Sequence, residues 1–464
     1  MIARQLRTHP ELLWMALFVS AWGFLFLLRS IPLGGEWSTL ENGTVSTILL
    51  WVAAVVVGMA IGARYARARH AKESEATLPS GHDAMKGLSA AILVLSLAAA
   101  TGAVLVILEF AFVRGYGFST PVANIRILEV TRGMAGADSS LLSGPGRLML
   151  PAFLPAFLLV ILFWRAAPKP VLAVFFLTVL IVLLEQILFE GGRFFLGLIL
   201  LSLTIAVAAD MMRIGWPPDW KRSISQIFVI VVFGSLLVLY SAWVFGNRTS
   251  GAGETQTAAF DRFSSSLIEK APPKLQETPP SPAIEFQIHP TVKFFWIYAT
   301  HGISQLEQVL RHPNITHTYG FFQFPQLAQI ADKVFRTSLR VDYYKNMPSS
   351  GFYTTMIGAS IIDFGRAGSI IFALFFGVMT GYCAVLHPSS NQAKSTSQAR
   401  SDTNITFSVI SFPALMTTAL VSPIVSLVNH MWPAIVWSCI SVAICRLVPL
   451  VGRRNIAPQK PLRN

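Results

Sequence analysis

The chain has 464 residues, of which 53% are hydrophobic and only 13% charged, and its mean hydropathy is +0.57. Soluble globular chains carry about 25% charged residues, so a water-soluble fold and a disordered polypeptide are both excluded. The formal charge of +13 would suit a nucleic-acid binder only on a soluble basic face. The apolar runs leave no room for such a face, and no nucleic-acid partner is expected.

A membrane helix needs about 20 mainly apolar residues, because no other element except a closed barrel satisfies its backbone in hydrocarbon. That rule predicts ten spans, at roughly 11–29, 44–63, 88–113, 148–164, 170–189, 194–212, 225–245, 367–386, 405–428 and 432–450. The first follows Arg4 and Arg7 but lacks a small-residue cleavage site, so it reads as a span and not as a signal peptide. Pro151 and Pro155 fall in the fourth span, and Pro413 and Pro423 in the ninth. Membrane helices tolerate such prolines.

Orientation follows from Lys and Arg in the short loops. Arg64, Arg67, Arg69, Lys72 and Lys86, with Arg453, Arg454, Lys460 and Arg463, belong on the cytoplasmic side. Both termini are then cytoplasmic. The positive excess falls almost wholly on that side, so it reflects the positive-inside rule. The expected class is an all-α integral membrane protein with an N-terminal seven-span region (1–245), a large outer loop (246–366) and a C-terminal three-span region with a cytoplasmic tail (367–464).

Within the long loop, 247–283 is rich in Ser, Thr, Gly, Glu and Pro and reads as flexible. From Phe294 the pattern changes, and 290–360 is expected to be partly helical. Leu327, Ile330, Ala331, Val334 and Phe335 recur at helical spacing opposite Gln329, Asp332 and Lys333. That predicts an amphipathic helix on the membrane or over a cavity. The preceding run, from Phe294 to Leu310, has a similar character.

Arginines on the outer side are the sharpest local signal, since positive charge is otherwise kept inside. Arg193 follows Glu190-Gly191-Gly192 at the start of the sixth span. It is either a snorkelling anchor, or partner of Glu190, or an anion clamp, because guanidinium binds phosphate bidentately. Arg126, Arg132, Arg311, Arg336 and Arg340 share that side. Asp363, just before the eighth span, is either a helix N-cap or an acid–base group. His301, His312 and His317 lack metal-ligand spacing; one of them could serve as a general base. Tyr319, Phe321, Phe322, Phe324, Tyr343, Tyr344, Phe352 and Tyr353 form an aromatic cluster that could be an interfacial belt or a sugar site. Glu109 and Glu185 lie near the outer ends of spans. Cys383, Cys439 and Cys445 sit in apolar stretches and read as small buried hydrophobes. No Walker, dinucleotide, zinc or nucleophile-elbow motif is present.

Three stretches together resemble the bacterial O-antigen polymerase family, the oligosaccharide repeat-unit polymerases. They are Gly191-Gly192-Arg193 opening a Leu-rich span; Tyr298-Ala299-Thr300-His301-Gly302 with Tyr319-Gly320-Phe321-Phe322; and Gly351-Phe352-Tyr353-Thr354 with Ile362-Asp363-Phe364-Gly365-Arg366-Ala367-Gly368. Arg340 and Gly351 add an Arg-x10-Gly spacing, and the resemblance covers roughly residues 190–385. It departs at Gly351, where the family often has Asn.

The resemblance implies a membrane glycosyltransferase of the type C kind, needing no metal or other cofactor, in the bacterial inner membrane with its large loop periplasmic. It would transfer the growing glycan from undecaprenyl diphosphate to a sugar hydroxyl of the next lipid-linked unit. Arg193, Arg340, Arg126 and Arg311 would hold the diphosphate, and Asp363 or His301 would take the acceptor proton. Tyr298, Tyr319 and Tyr353 would line the glycan. Its partners would be lipid-linked oligosaccharides, membrane lipids, a flippase and a chain-length regulator. Two alternatives stay open: an O-antigen ligase acting on lipid A-core, and a polytopic transporter of glycans or small solutes.

Overall fold

The structure is a computed structural model, and it describes residues 9–31, 39–73, 81–116, 142–163, 167–186, 188, 193–214, 228, 231–232, 234–235, 290–312, 315, 317–337, 354–386 and 407–454. Among these, 87% are helical and none lies in a strand, which establishes an all-α fold. In chain order the helices are α1 (Pro10–Ser30), α2 (Asn42–Glu73), α3 (Gly81–Leu108), α4 (Ser143–Met149), α5 (Phe153–Phe163), α6 (Lys169–Glu185) and α7 (Arg193–Ile214). After the long loop come α8 (Pro290–Arg311), α9 (Pro325–Phe335), α10 (Met356–Leu386), α11 (Phe407–Val421) and α12 (Val428–Arg454).

Among the described residues five segments are long and apolar enough to cross a membrane: Glu11–Ser30, Asn42–Arg69, Lys86–Val113, Gly144–Ile161 and Met356–Val385. Shorter apolar helical stretches are Gly197–Ala209, Ile410–Val421 and Met431–Cys445. This is the architecture of an α-helical membrane protein. Most of the expected seventh span, 225–245, lies outside the described residues.

Proline shapes two of the segments. Pro151 sits in a 3-10 step, Leu150–Ala152, that joins α4 to α5. Pro413 lies inside α11, and Pro423 follows its end. α3 ends in a π-helical turn, Glu109–Val113.

Among the described residues two large apolar clusters build the bundle, beside a small third one of Val106, Phe110 and Tyr116. One joins α3, α4, α5 and α6 to parts of α7, α11 and α12; the other joins α1, α2, α8 and α10 to the remaining faces of α7 and α11. Thus α7 and α11 form the partition between the clusters, and a buried hydroxyl pair, Ser202 and Thr417 at 2.8 Å, ties them together.

The closest packing is between α2 and α10, which run parallel. Gly58 and Gly62 on α2 face Gly377 and Gly381 on α10, two GxxxG repeats back to back. A Cβ on Gly62 would lie 2.0 Å from the Val378 carbonyl oxygen, and one on Gly381 2.0 Å from that of Met59. Only glycine permits such backbone approach, the usual device for helix association where no hydrophobic effect operates.

α10 begins eleven residues before the predicted start of the eighth span. It is broken at Gly365, where φ is 71° and ψ 179°, a conformation essentially restricted to glycine. The segment 356–363 is buried throughout, and the part after Gly365 packs along α2. Asp363 is therefore inside a helix near a break, and not at its N-cap. Thr355 caps the helix instead, its Oγ1 accepting the Gly358 N–H at 3.1 Å.

Candidate functional site at the α8 end of the bundle

The amphipathic pattern of the long loop forms α8 and α9 as expected, and α8 is fastened across one end of the bundle. Trp296 donates its indole N–H to the Leu28 carbonyl at 2.7 Å, and Arg29 donates to Ser304 Oγ at 2.8 Å. These contacts fix α8 on the C-terminal end of α1. At the start of α2, the Glu307 carboxylate accepts the Glu41 N–H at 3.2 Å and Arg311 at 3.1 Å. Arg311 also pairs with the Glu41 carboxylate at 2.9 Å. Its side chain is 46% exposed, so it is ion-paired on one side and open on the other.

On its inner face α8 meets the 422–427 connection between α11 and α12. A Cβ on Gly302 would stand 2.4 Å from the Ile424 carbonyl oxygen, so the two backbones touch there. The same connection holds the start of α10, with Met356 N donating to Ser422 O and Ser426 N to Thr354 O, both at 3.0 Å. His301, beside Gly302, is buried at 1% exposure. Its Nδ1 donates to the carbonyls of Ile297 and Tyr298, at 3.1 and 2.9 Å, which leaves the lone pair on Nε2. Burial pushes the imidazole below its ordinary value of 6.5, against the opposing pull of those two backbone bonds. Tyr298 stands edge-on to the ring, with centroids 6.0 Å apart.

Between α8 and α9 the chain makes a tight turn, 317–324, held to α10 at its break. Thr318 N and Tyr319 N donate to the carbonyls of Ile362 and Asp363, at 3.3 and 3.0 Å. The Asp363 side chain, with no solvent exposure, gathers the rest. Oδ1 accepts the Thr318 hydroxyl at 2.5 Å and the Phe322 N–H at 2.9 Å, and Oδ2 accepts the Gln323 N–H at 3.0 Å. A carboxylate satisfied by three donors is anchored. The structure thus gives Asp363 a positioning role over this turn. Within it, Tyr319 has φ of 51° and Gly320 of 99°, and the Tyr319 ring projects 81% exposed. Left-handed backbone at a bulky residue is costly and holds because both flanks are pinned to α10. Arg366, one residue past the break, donates to the Leu310 carbonyl at 3.0 Å, closing α10 onto the end of α8.

A second polar group sits where α3 and α6 end. Arg114 and Glu109 form a pair at 2.9 Å with side chains only 4% and 1% exposed, and the guanidinium lies 5.2 Å over the Phe110 ring. Gln186 donates to Glu185 at 2.6 Å, and both residues are buried. Arg193 is the first residue of α7; its side chain lies outside the described residues, as do Arg126, Arg340 and Tyr353. Of the expected site residues, the structure therefore brings Tyr298, His301, Arg311, Tyr319 and Asp363 to one end of the bundle. Among the described residues no three His, Cys, Asp or Glu side chains could hold a metal ion together.

Sequence reasoning passed over Arg29, Arg114, Glu307 and Gln323. Arg29 and Arg114 carry the signal that singled out Arg193, a cation at the outward end of a predicted span. Glu307 and Gln323 carry no signal in one dimension; only their burial marks them. No family model matches the chain, and neither a curated protein nor a solved structure does.

Proposed function

We propose that the chain is a metal-independent glycosyltransferase of the bacterial inner membrane, with ten spans, cytoplasmic termini and the α8 end facing the periplasm. It polymerises lipid-diphosphate-linked oligosaccharide repeats. The observation that carries this reading is the helical cap formed by α8, the 317–324 turn and α9. Buried hydrogen bonds at Asp363 and Arg29 join this cap to the membrane helices, and a loop-borne site needs such support to stay in register with a lipid-held substrate.

In this reaction the bond between the glycan anomeric carbon and the diphosphate oxygen breaks, and a bond to the acceptor hydroxyl oxygen forms. The acceptor proton passes to a base, and undecaprenyl diphosphate departs with the negative charge. Arg193, Arg340, Arg126 and Arg311 stabilise that charge at headgroup level, the work that a metal would otherwise do. His301 suits the base better than Asp363. Its Nδ1–H is committed and burial keeps it neutral, whereas the Asp363 oxygens already serve the turn.

Deleting the gene and resolving the surface polysaccharide on a gel tests the reading. Loss of polymerisation leaves lipid A-core bearing a single repeat. Complete absence of attached repeats would favour a ligase, and a normal ladder would refute both. Arg193→Ala should reproduce the deletion with the protein still in the membrane, and Arg193→Lys should not restore activity if the clamp is bidentate.

A further inference from the structure

α9 is built the wrong way round for a helix covered by protein on one side and water on the other. It buries its small residues, Ala328 at 1% and Ala331 at 8% exposure, and leaves its large ones out: Leu327 is 41% exposed, Val334 64% and Phe335 74%. Leu327 and Val334 stand seven residues apart and share a face. Among the described residues, every other large apolar side chain so exposed, apart from Tyr319 in the adjoining turn, lies in or just beside one of the predicted spans. There such exposure faces lipid. Outside a span, a contiguous apolar face marks an interaction surface.

The position of α9 selects what covers that face. Its N-terminus follows directly on the 317–324 turn, which Asp363 ties to α10. Its body packs against α4, whose second residue, Gly144, opens the membrane-crossing segment Gly144–Ile161. α9 therefore lies beside the end of a span, at the level where hydrocarbon gives way to headgroups, and its exposed face continues the lipid-facing surface of the bundle. It stops at Arg336, exposed and left-handed with φ of 53°, a cation placed where lipid phosphates begin. We propose that α9 is a lipid-docking helix, with Leu327, Val334 and Phe335 entering the boundary between the headgroups and acyl chains of the protein's own bilayer. The cap is then held on two sides, by Asp363 to α10 and by α9 to the membrane surface, which fixes its height above the bilayer. Docking needs only the membrane-crossing helices and is independent of the glycan-transfer reading.

The test uses full-length protein in nanodiscs, freed of its cysteines by Cys383→Ala, Cys439→Ser and Cys445→Ala. One cysteine is then introduced at a time, by Val334→Cys, Phe335→Cys or Arg336→Cys, and carries an environment-sensitive dye. Nanodisc lipids bear a nitroxide either just below the headgroup or near the chain end. At positions 334 and 335 the shallow nitroxide should quench about twofold or more better than the deep one, because a surface helix enters only about 5–10 Å. Quenching at position 336 should be weaker. Adding Leu327→Gln and Val334→Gln to the Phe335→Cys protein should lift the dye out of the boundary and abolish the difference between the nitroxides. The thermal midpoint should not move, since the exposed face packs little within the protein. Equal quenching by both nitroxides at 334 and 335 would overturn the proposal. So would a dye shielded from water yet untouched by either nitroxide, which would mean that a second copy or another protein covers the face. A lowered midpoint in the glutamine variant would overturn it as well, by showing that the face packs within the fold.

Discussion

Replacing Gly381 with alanine would put a methyl carbon 2.0 Å from the Met59 carbonyl oxygen, where ordinary contact begins at 3.4 Å. The obstacle is backbone, so it cannot rotate aside, and α2 and α10 must part by about 1 Å or more against native-density packing. Overpacking of this kind costs about 1–3 kcal/mol. Alanine's better helix propensity returns up to about 1 kcal/mol, leaving a net loss of about 1–2 kcal/mol. Leucine at the same position gains less from propensity and intrudes further, and should prevent the seam from closing. Cys383, two residues on and 1% exposed, supplies the assay. In a Cys439→Ser, Cys445→Ala background, its reaction with a maleimide dye reports opening of the seam. The alanine variant should label about tenfold faster than wild type, since 1.4 kcal/mol is a factor of ten in the opening equilibrium. Gly62→Ala should behave alike, and combining the two should fall short of additivity because the sites share one interface. Labelling at the wild-type rate in Gly381→Leu would refute the close parallel packing.

Asp363→Ala should strip one buried hydroxyl and two backbone N–H groups of their acceptor, at about 1–3 kcal/mol each, and expose the 317–324 turn to limited proteolysis while the spans stay folded. Gly365→Ala should cost about 1–3 kcal/mol in thermal stability, because φ is 71° and the new Cβ would lie 3.2 Å from His317 Nε2. Arg311→Ala should change stability by no more than about 1 kcal/mol, since the ion pair is half exposed; abolished polymer with an unchanged melting curve would mark Arg311 as a substrate contact. His301 is held below its ordinary value of 6.5, so below that pH the unfolded chain binds the extra proton. Stability should then fall as pH drops from about 7 to 5, and in His301→Gln, compared by the same thermal melts, that fall should be shallower.

Hydropathy was enough to place α1, α2, α3, α6 and α7, because a bilayer-length apolar run has few other uses. The two periods of the long loop were legible for the same kind of reason: Leu327, Ala331 and Phe335 recur at helical spacing whatever they pack against. The start of α10 was not legible. Gly365-Arg366 interrupts the apolar run, and a positive φ at Gly365 kinks the helix without altering composition, so 356–364 read as loop. Asp363 was singled out, but its partners lie about forty residues away in the turn, and a carboxylate that orders a distant loop looks in one dimension like one that does chemistry. The GxxxG repeats of α2 and α10 are each visible alone, but only tertiary structure reveals that they face one another.

The parallel seam also dictates an order of assembly. Gly58 enters the membrane when most of the chain is still unmade, and its counterpart Gly377 arrives only after the long loop has been synthesised. Until then the glycine face of α2 meets lipid, which fills a backbone groove poorly, or some transient neighbour. The core of the α1–α2–α10 half must therefore close late, as a long-range contact whose loop-closure entropy has to be met before it contributes. A chain truncated before α10 would leave that groove open as a surface for the wrong helix, so the tightest seam among the described helices is also one that forms late.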